Sequence, residues 1–399
     1  MITPSSVLPY FFISALFLLF SGLICAGASR FSKNILISEG GRHEAIDGLR
    51  GFLALGVFFH HALINFSYQT SNVWKAPDEP FYVMTGQLGV GFFFMITAFL
   101  FWGRVLKSSY RIDWIDLYRS RVRRIVPMYI LSVVFLVVIA LGKTGINEDF
   151  RYGAVIKDVA RWFGFSFFGA PDINGLANTF TINAGVFWTL AYEWKFYFVL
   201  PFMGALLAIS GRWLVYVLIF LYAALSEEKF LLYFFGGMVV ADVYSRVEIR
   251  YHIPAWRCDL WFILILCGLM TEFSTAYGFL QSLLSATAFF LMLNGRGVFG
   301  LLHTKAAKLL GEASYSIYLL HGVVITVTLA AARLAGLKWV ESNYWSVVLL
   351  MGLILITVSV LTFRFVELPF LTRSLIKSSG KSELDGAAGL VGGRLCKKP

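Results

Sequence analysis

From Val7 to Ala28 the chain carries no charged residue, and ten further apolar runs follow it. A bilayer core needs about 20 apolar residues as helix to cross it, so this recurrence limits the fold more than any other feature. The further runs centre on Leu49–Ser67, Gly86–Trp102, Ile125–Leu141, Gly185–Ala208, Trp213–Leu225, Phe230–Tyr244, Leu260–Thr271, Phe273–Leu293, Ala313–Ala332 and Tyr344–Phe363. Composition agrees. Apolar residues make up 58% and charged residues 14%, whereas a soluble globule carries about 25% charged residues. The expected fold class is all-α: a polytopic integral membrane protein of about eleven transmembrane helices. The runs from Trp213 to Thr271 are short and are expected to tilt little or share boundaries. Ala154–Phe168 contains Lys157, Asp158 and Arg161, and reads as interfacial rather than spanning.

Lysine and arginine bias orients the spans. With the end of the first run in the cytoplasm, 25 of the 34 basic residues fall on cytoplasmic segments, 8 fall outside, and Lys195 lies within a span. The expected arrangement is a multi-pass protein of a bacterial inner (plasma) membrane, N-terminus outside and C-terminus cytoplasmic. This asymmetry also accounts for the +11 net charge, leaving no reason to invoke nucleic acid. The leader Met1–Ser6 lacks the positive region of a secretory signal, so the first run is expected to be a retained helix. Residues beyond 372, rich in Gly, Ser and Lys, read as a disordered tail. Cys25, Cys258, Cys267 and Cys396 form no CxxC pair, so no metal or redox site is expected. The neighbours of Cys396 do not make a prenylation signal.

Ionisable groups inside spans are costly and therefore candidates for function. Arg50 and His61 are eleven residues apart, about three turns plus 20° of helix, so they share a face with roughly 16 Å between them. His60 lies off that face. Arg121 and Arg124 stand near one helix entry, where guanidinium groups can grip phosphate oxygens. Positive-inside topology alone also explains such a cluster. Glu193 lies about two turns inside its span, near the depth of His61, and cannot face Lys195 two residues on. Ser314, Tyr318 and His321 form a polar stripe on an apolar helix, suited to a ligand or to helix–helix hydrogen bonds. Gly295–Gly300 spells GxGxxG, but no strand precedes it, and the chain has no P-loop, HExxH or GxSxG motif. Buried ionisable groups also mark transporter pathways, which leaves an exporter as the rival class.

Taken together, Asp47–Gly51 with Arg50 and His61, Gly89–Leu100, Arg121/Arg124/Pro127, Trp188–Tyr197 with Glu193, Gly311–His321 and Val366–Pro369 resemble the ordered motifs of the membrane acyltransferase-3 family. The resemblance covers about Ile46 to Leu371. It divides the chain into an extra N-terminal helix and connector (1–45), a ten-helix acyltransferase domain (46–371) and a tail (372–399). Gly91 stands where many members carry aspartate, and Thr97-Ala98 replaces Ser-Gly. The resemblance implies transfer of an acyl group, most often acetyl, from cytoplasmic acyl-CoA as co-substrate, with no bound cofactor. The acceptor hydroxyl would belong to a carbohydrate or lipid-linked glycan such as O-antigen or exopolysaccharide, or to a small molecule such as a macrolide, with membrane lipid as the surroundings. In that scheme His61 is the general base, Arg50 shares its face, and Glu193 orients His61. Arg121 and Arg124 hold the phosphates of CoA, and His321, with Ser314 and Tyr318, contacts the cofactor.

Overall fold

The computed structural model describes residues 3–31, 44–108, 112–146, 151–246 and 253–371. The expected tail, including Cys396, lies outside them. Every one of the eleven apolar runs falls on a helix: α1 (Val7–Phe31), α2 (Glu44–Ser71), α3 (Pro80–Lys107), α4 (Trp114–Thr144), α6 (Trp188–Ser210), α7 (Arg212–Leu225), α8 (Leu231–Arg246), α9 (Ala255–Glu272), α10 (Phe279–Asn294), α12 (Ser314–Leu334) and α13 (Tyr344–Thr362). Among the described residues, seven helices are long and apolar enough to cross a membrane, namely α1–α4, α6, α12 and the segment containing α13, while α7 and α10 are shorter apolar helices. Two helices lie outside the runs: the largely exposed α5 (Tyr152–Trp162), too short to cross, and α11 (Lys305–Glu312). Among the described residues there is no strand, only an isolated bridge between Ile173 and Leu176. The chain is an all-α, multi-pass membrane protein.

The centre of the bundle is α2, α3 and α12, with α8 against α3 and α11 against α2. Glycine makes the closest of these contacts possible. A Cβ on Gly48 would meet the backbone of Leu302, one on Gly51 would meet Leu310, and one on Gly311 would run into the Asp47 carbonyl. Gly51 and Gly311 thus bring α2 and α11 into backbone contact, and Gly48 does the same for α2 and the 3₁₀ turn Leu301–His303. That contact fixes where Arg50 enters the bundle. The first helix is packed too: Phe17 is fully buried against Gly352 of α13, and Tyr82 donates to the Ser6 carbonyl at 2.8 Å.

The Gly295–Gly300 loop has a structural job. Gly297, Val298, Phe299 and Gly300 all have positive φ, which turns successive N–H groups inward. The buried Asp259 carboxylate accepts from the N–H groups of Arg296, Val298 and Phe299 at 3.0–3.1 Å. A backbone nest that would suit an anion is therefore filled by a side chain of α9.

Candidate active site

One end of the bundle encloses a cavity of about 110 Å³ between α2, α3, α4, α6 and α12. Its polar lining is Arg50, Thr97, Arg121, Arg124, Glu193, Tyr197, Thr189, Ser314, Tyr315 and Tyr318, set among Phe93, Phe94, Leu100 and Phe101. Five motifs that are far apart in sequence thus converge on one chamber. Arg121 lies over the ring of Phe101, 4.9 Å from its centroid, and its Nε is buried without a partner. Ser314 Oγ is likewise buried without a partner. Leaving such donors unpaired in a protein interior is costly, so a cavity wall with two of them is built to receive hydrogen-bond acceptors. Tyr315 ties this end of α12 to α4 by donating to the Ile125 carbonyl at 3.0 Å.

Glu193 accepts a short hydrogen bond from Tyr197 and faces the arginine-lined chamber. It makes no hydrogen bond to His61. The sequence pattern fails here because equal depth along two helices says nothing about which side of each helix faces the other. Glu367, which helical periodicity does not mark, is 1% exposed and accepts from Ser316 at 2.5 Å. It sits on a π-helical turn, Phe363–Glu367, and such extra-residue turns re-aim a side chain in a way that helical periodicity cannot show.

The histidines lie beyond the chamber. His61 Nδ1 is 3.0 Å from the Val57 carbonyl and 3.1 Å from His321 Nε2. The two rings have centroids 4.9 Å apart. His321 is fully buried, and its Nδ1 lies beside the carbonyls of Ile317 and Tyr318 without reaching hydrogen-bond geometry. Gly322 seats this part of α12 directly on the backbone of Asn183 and Ala184. Neither His61 nor His321 lines the chamber; Tyr318 stands between, its ring 6.1 Å from His321 and 5.7 Å from Phe93, its hydroxyl 2.9 Å from Thr189 Oγ1. The stripe Ser314–Tyr318–His321 therefore runs from the chamber to the histidine pair. His60 is taken up elsewhere, its Nδ1 2.8 Å from the Tyr82 carbonyl and its ring against Gly86.

Gly91 is also accounted for. The ring of Tyr233 occupies the space a side chain there would need, and its hydroxyl is tied to the Ala276 carbonyl and Ser285 Oγ at 3.0 and 3.2 Å. No carboxylate can stand at this point of α3 without displacing a buried tyrosine. Lys195, the one basic residue within a span by sequence, is exposed on α6 with its ammonium 4.1 Å from the Tyr192 ring centroid.

The bundle gathers three arginines and a glutamate at one chamber with a histidine pair beyond it, and the sequence comparisons give the class: a membrane enzyme that transfers acyl groups. The chain belongs to the acyltransferase-3 family: a family model described as "Acyltransferase domain" matches residues 43–364. A search of characterised proteins finds the "Exopolysaccharide production protein ExoZ" of Rhizobium meliloti, 28% identical over 272 residues, 63% of this chain and 80% of that protein. No solved structure is significantly similar.

Proposed function

We propose that this protein is an O-acyltransferase of a bacterial inner membrane that moves an acyl group, typically acetyl, from cytoplasmic acyl-CoA to a hydroxyl of a polysaccharide or lipid-linked glycan. The observation that carries the reading is the chamber lined by Arg50, Arg121 and Arg124, with the His61–His321 pair beyond it on the far side of Tyr318. Guanidinium groups grip phosphate oxygens in bidentate fashion. The unpaired Arg121 Nε and Ser314 Oγ offer further donors for the phosphates and amides of the donor. About 16 Å separates Arg50 from His61 along α2, a span that an extended pantetheine arm can cover. Similarity to an exopolysaccharide production protein supports a carbohydrate acceptor.

In this reading His61 carries its proton on Nδ1, directed at the Val57 carbonyl and His321 Nε2, which leaves Nε2 bare. Nε2 removes the proton of the acceptor hydroxyl as its oxygen attacks the thioester carbonyl. Collapse of the tetrahedral intermediate breaks the C–S bond, and the departing sulfur takes the proton from the imidazolium. His321 plays the part that a carboxylate plays in a Ser-His-Asp triad, fixing the tautomer and accepting from Nδ1–H as positive charge develops. Glu193 balances the arginines of the chamber. Deleting the gene and comparing surface glycans by mass spectrometry tests the reading. Loss of ester groups, restored by the wild-type gene and not by one encoding His61→Ala, is the expected result; unchanged glycans together with no release of CoA thiol from acetyl-CoA would refute it.

A further inference from the structure

Beyond His61, at the end of α2 opposite the arginines, the chain places aromatic rings from two separate connections. Trp74, in the link between α2 and α3, lies nearly parallel to the His61 imidazole, with centroids 6.4 Å apart and planes 22° apart. Tyr68 meets its indole edge-on at 5.5 Å, and Phe180, from the 3₁₀ turn Thr179–Asn183, does so at 6.0 Å. All three rings are half-buried. Edge-to-face neighbours are the favoured way to hold an aromatic ring at a fixed tilt. Here they hold one nearly parallel to the imidazole whose Nε2 the mechanism leaves open. Trp74 takes no other part in the chemistry: it lines neither the chamber nor the helix contacts that build it.

We infer that Trp74, braced by Tyr68 and Phe180, is the acceptor platform, stacking on the apolar face of a pyranose ring and directing one of its hydroxyls to His61 Nε2. The inference rests on the O-acyltransferase reading and names the subsite for its second substrate. The chemistry fits a sugar. The C–H bonds on one face of a gluco- or galacto-configured pyranose form a flat, weakly positive patch that complements the negative face of an indole. An ion-pairing acceptor would need a charged partner, and the rings around Trp74 supply none. Donor and acceptor then reach the histidine pair from opposite ends, so neither has to leave for the other to bind.

The test uses membranes containing the full-length protein and, as probe, acyl-free surface polysaccharide purified from the deletion strain. Trp74→Ala is expected to raise the acceptor KM roughly tenfold, the scale of one aromatic contact, with the acyl-CoA KM unchanged. Trp74→Phe keeps a flat ring and is expected to restore most of the affinity. Phe180→Ala, which removes a brace and not the platform, is expected to give a smaller rise of the same kind. An acceptor KM unchanged in Trp74→Ala would overturn the inference while leaving the enzyme reading intact, as would an equal rise in both KM values, which marks a merely structural lid. Absence of transfer by the wild-type protein would instead overturn the functional reading and this one with it.

Discussion

His61 and His321, separated by 260 positions in the chain, bring Nδ1 and Nε2 to 3.1 Å inside the bundle. The pairing assigns different jobs to two histidines of the same type. His61 keeps one nitrogen free, whereas His321 is fully buried and can act only through its partner. His61→Ala is therefore expected to lower turnover on the order of 10²–10⁴-fold, the usual contribution of a general base. His321→Ala should lower it less, and the double variant should be scarcely worse than His61→Ala alone, because residues acting as a unit are not additive. His60→Ala removes a hydrogen bond to Tyr82 and an edge contact with the His61 ring, and no nitrogen of the His61–His321 pair, so it should cost far less turnover. Turnover in membranes normalised to protein level checks all four; equal losses from His60 and His61 would remove His61 from its role.

The chamber arginines are expected to act on the donor. Arg121→Ala and Arg124→Ala should each raise the acyl-CoA KM about 10- to 100-fold, the worth of a charge-assisted hydrogen bond. High donor concentration should recover the rate, since a lost phosphate contact removes uniform binding. Arg121→Lys should recover only part, because an ammonium cannot reproduce a bidentate fork. An unchanged acyl-CoA KM would return the cluster to a topology signal.

Glu193 faces Tyr197 and the arginines, so its energetic partner is expected there. A double-mutant cycle of Glu193→Gln with Tyr197→Phe should show coupling of about 0.5–3 kcal/mol, whereas Glu193→Gln with His61→Ala should show little. The cycle read on acyl-CoA KM and on turnover separates the two. Strong coupling to His61 alone would make Glu193 the orienting carboxylate after all.

Gly91→Asp is expected to destabilise the protein rather than improve it. Overpacking against Tyr233 costs about 1–3 kcal/mol, and a carboxylate without a designed partner adds to that. Thermal unfolding in detergent should drop, and Tyr233→Ala in the same chain should relieve part of the loss. A stable, more active Gly91→Asp protein would show that the space is adjustable.

Asp259→Ala should leave three N–H groups of the Gly295–Gly300 loop unpaired and cost on the order of 3 kcal/mol or more. Asp259→Asn keeps the shape and should cost less. Because no residue of the loop lines the chamber, the kinetic constants of whatever protein remains folded should be close to normal.

The sequence by itself determined the material of this protein. Hydropathy is a local property, so each of the eleven apolar runs marks a helix of the structure, and helical spacing alone sets Arg50 and His61 about 16 Å apart on α2. The ordered motifs likewise point to the family, because each is a short run of residues read in place. What sequence could not decide is which faces meet. Glu193 and His61 have similar depth but turn to different neighbours. His321 pairs with His61 and does not line the chamber, and a π-helical turn in the last span buries Glu367. Tyr233 fills the place left by Gly91, and Asp259 fills the glycine loop. Rotation of one helix about its axis leaves its own sequence pattern unchanged and alters every contact it makes. Only the close packing of the whole bundle, with glycines letting α2 and α11 touch, fixes those rotations and with them the site.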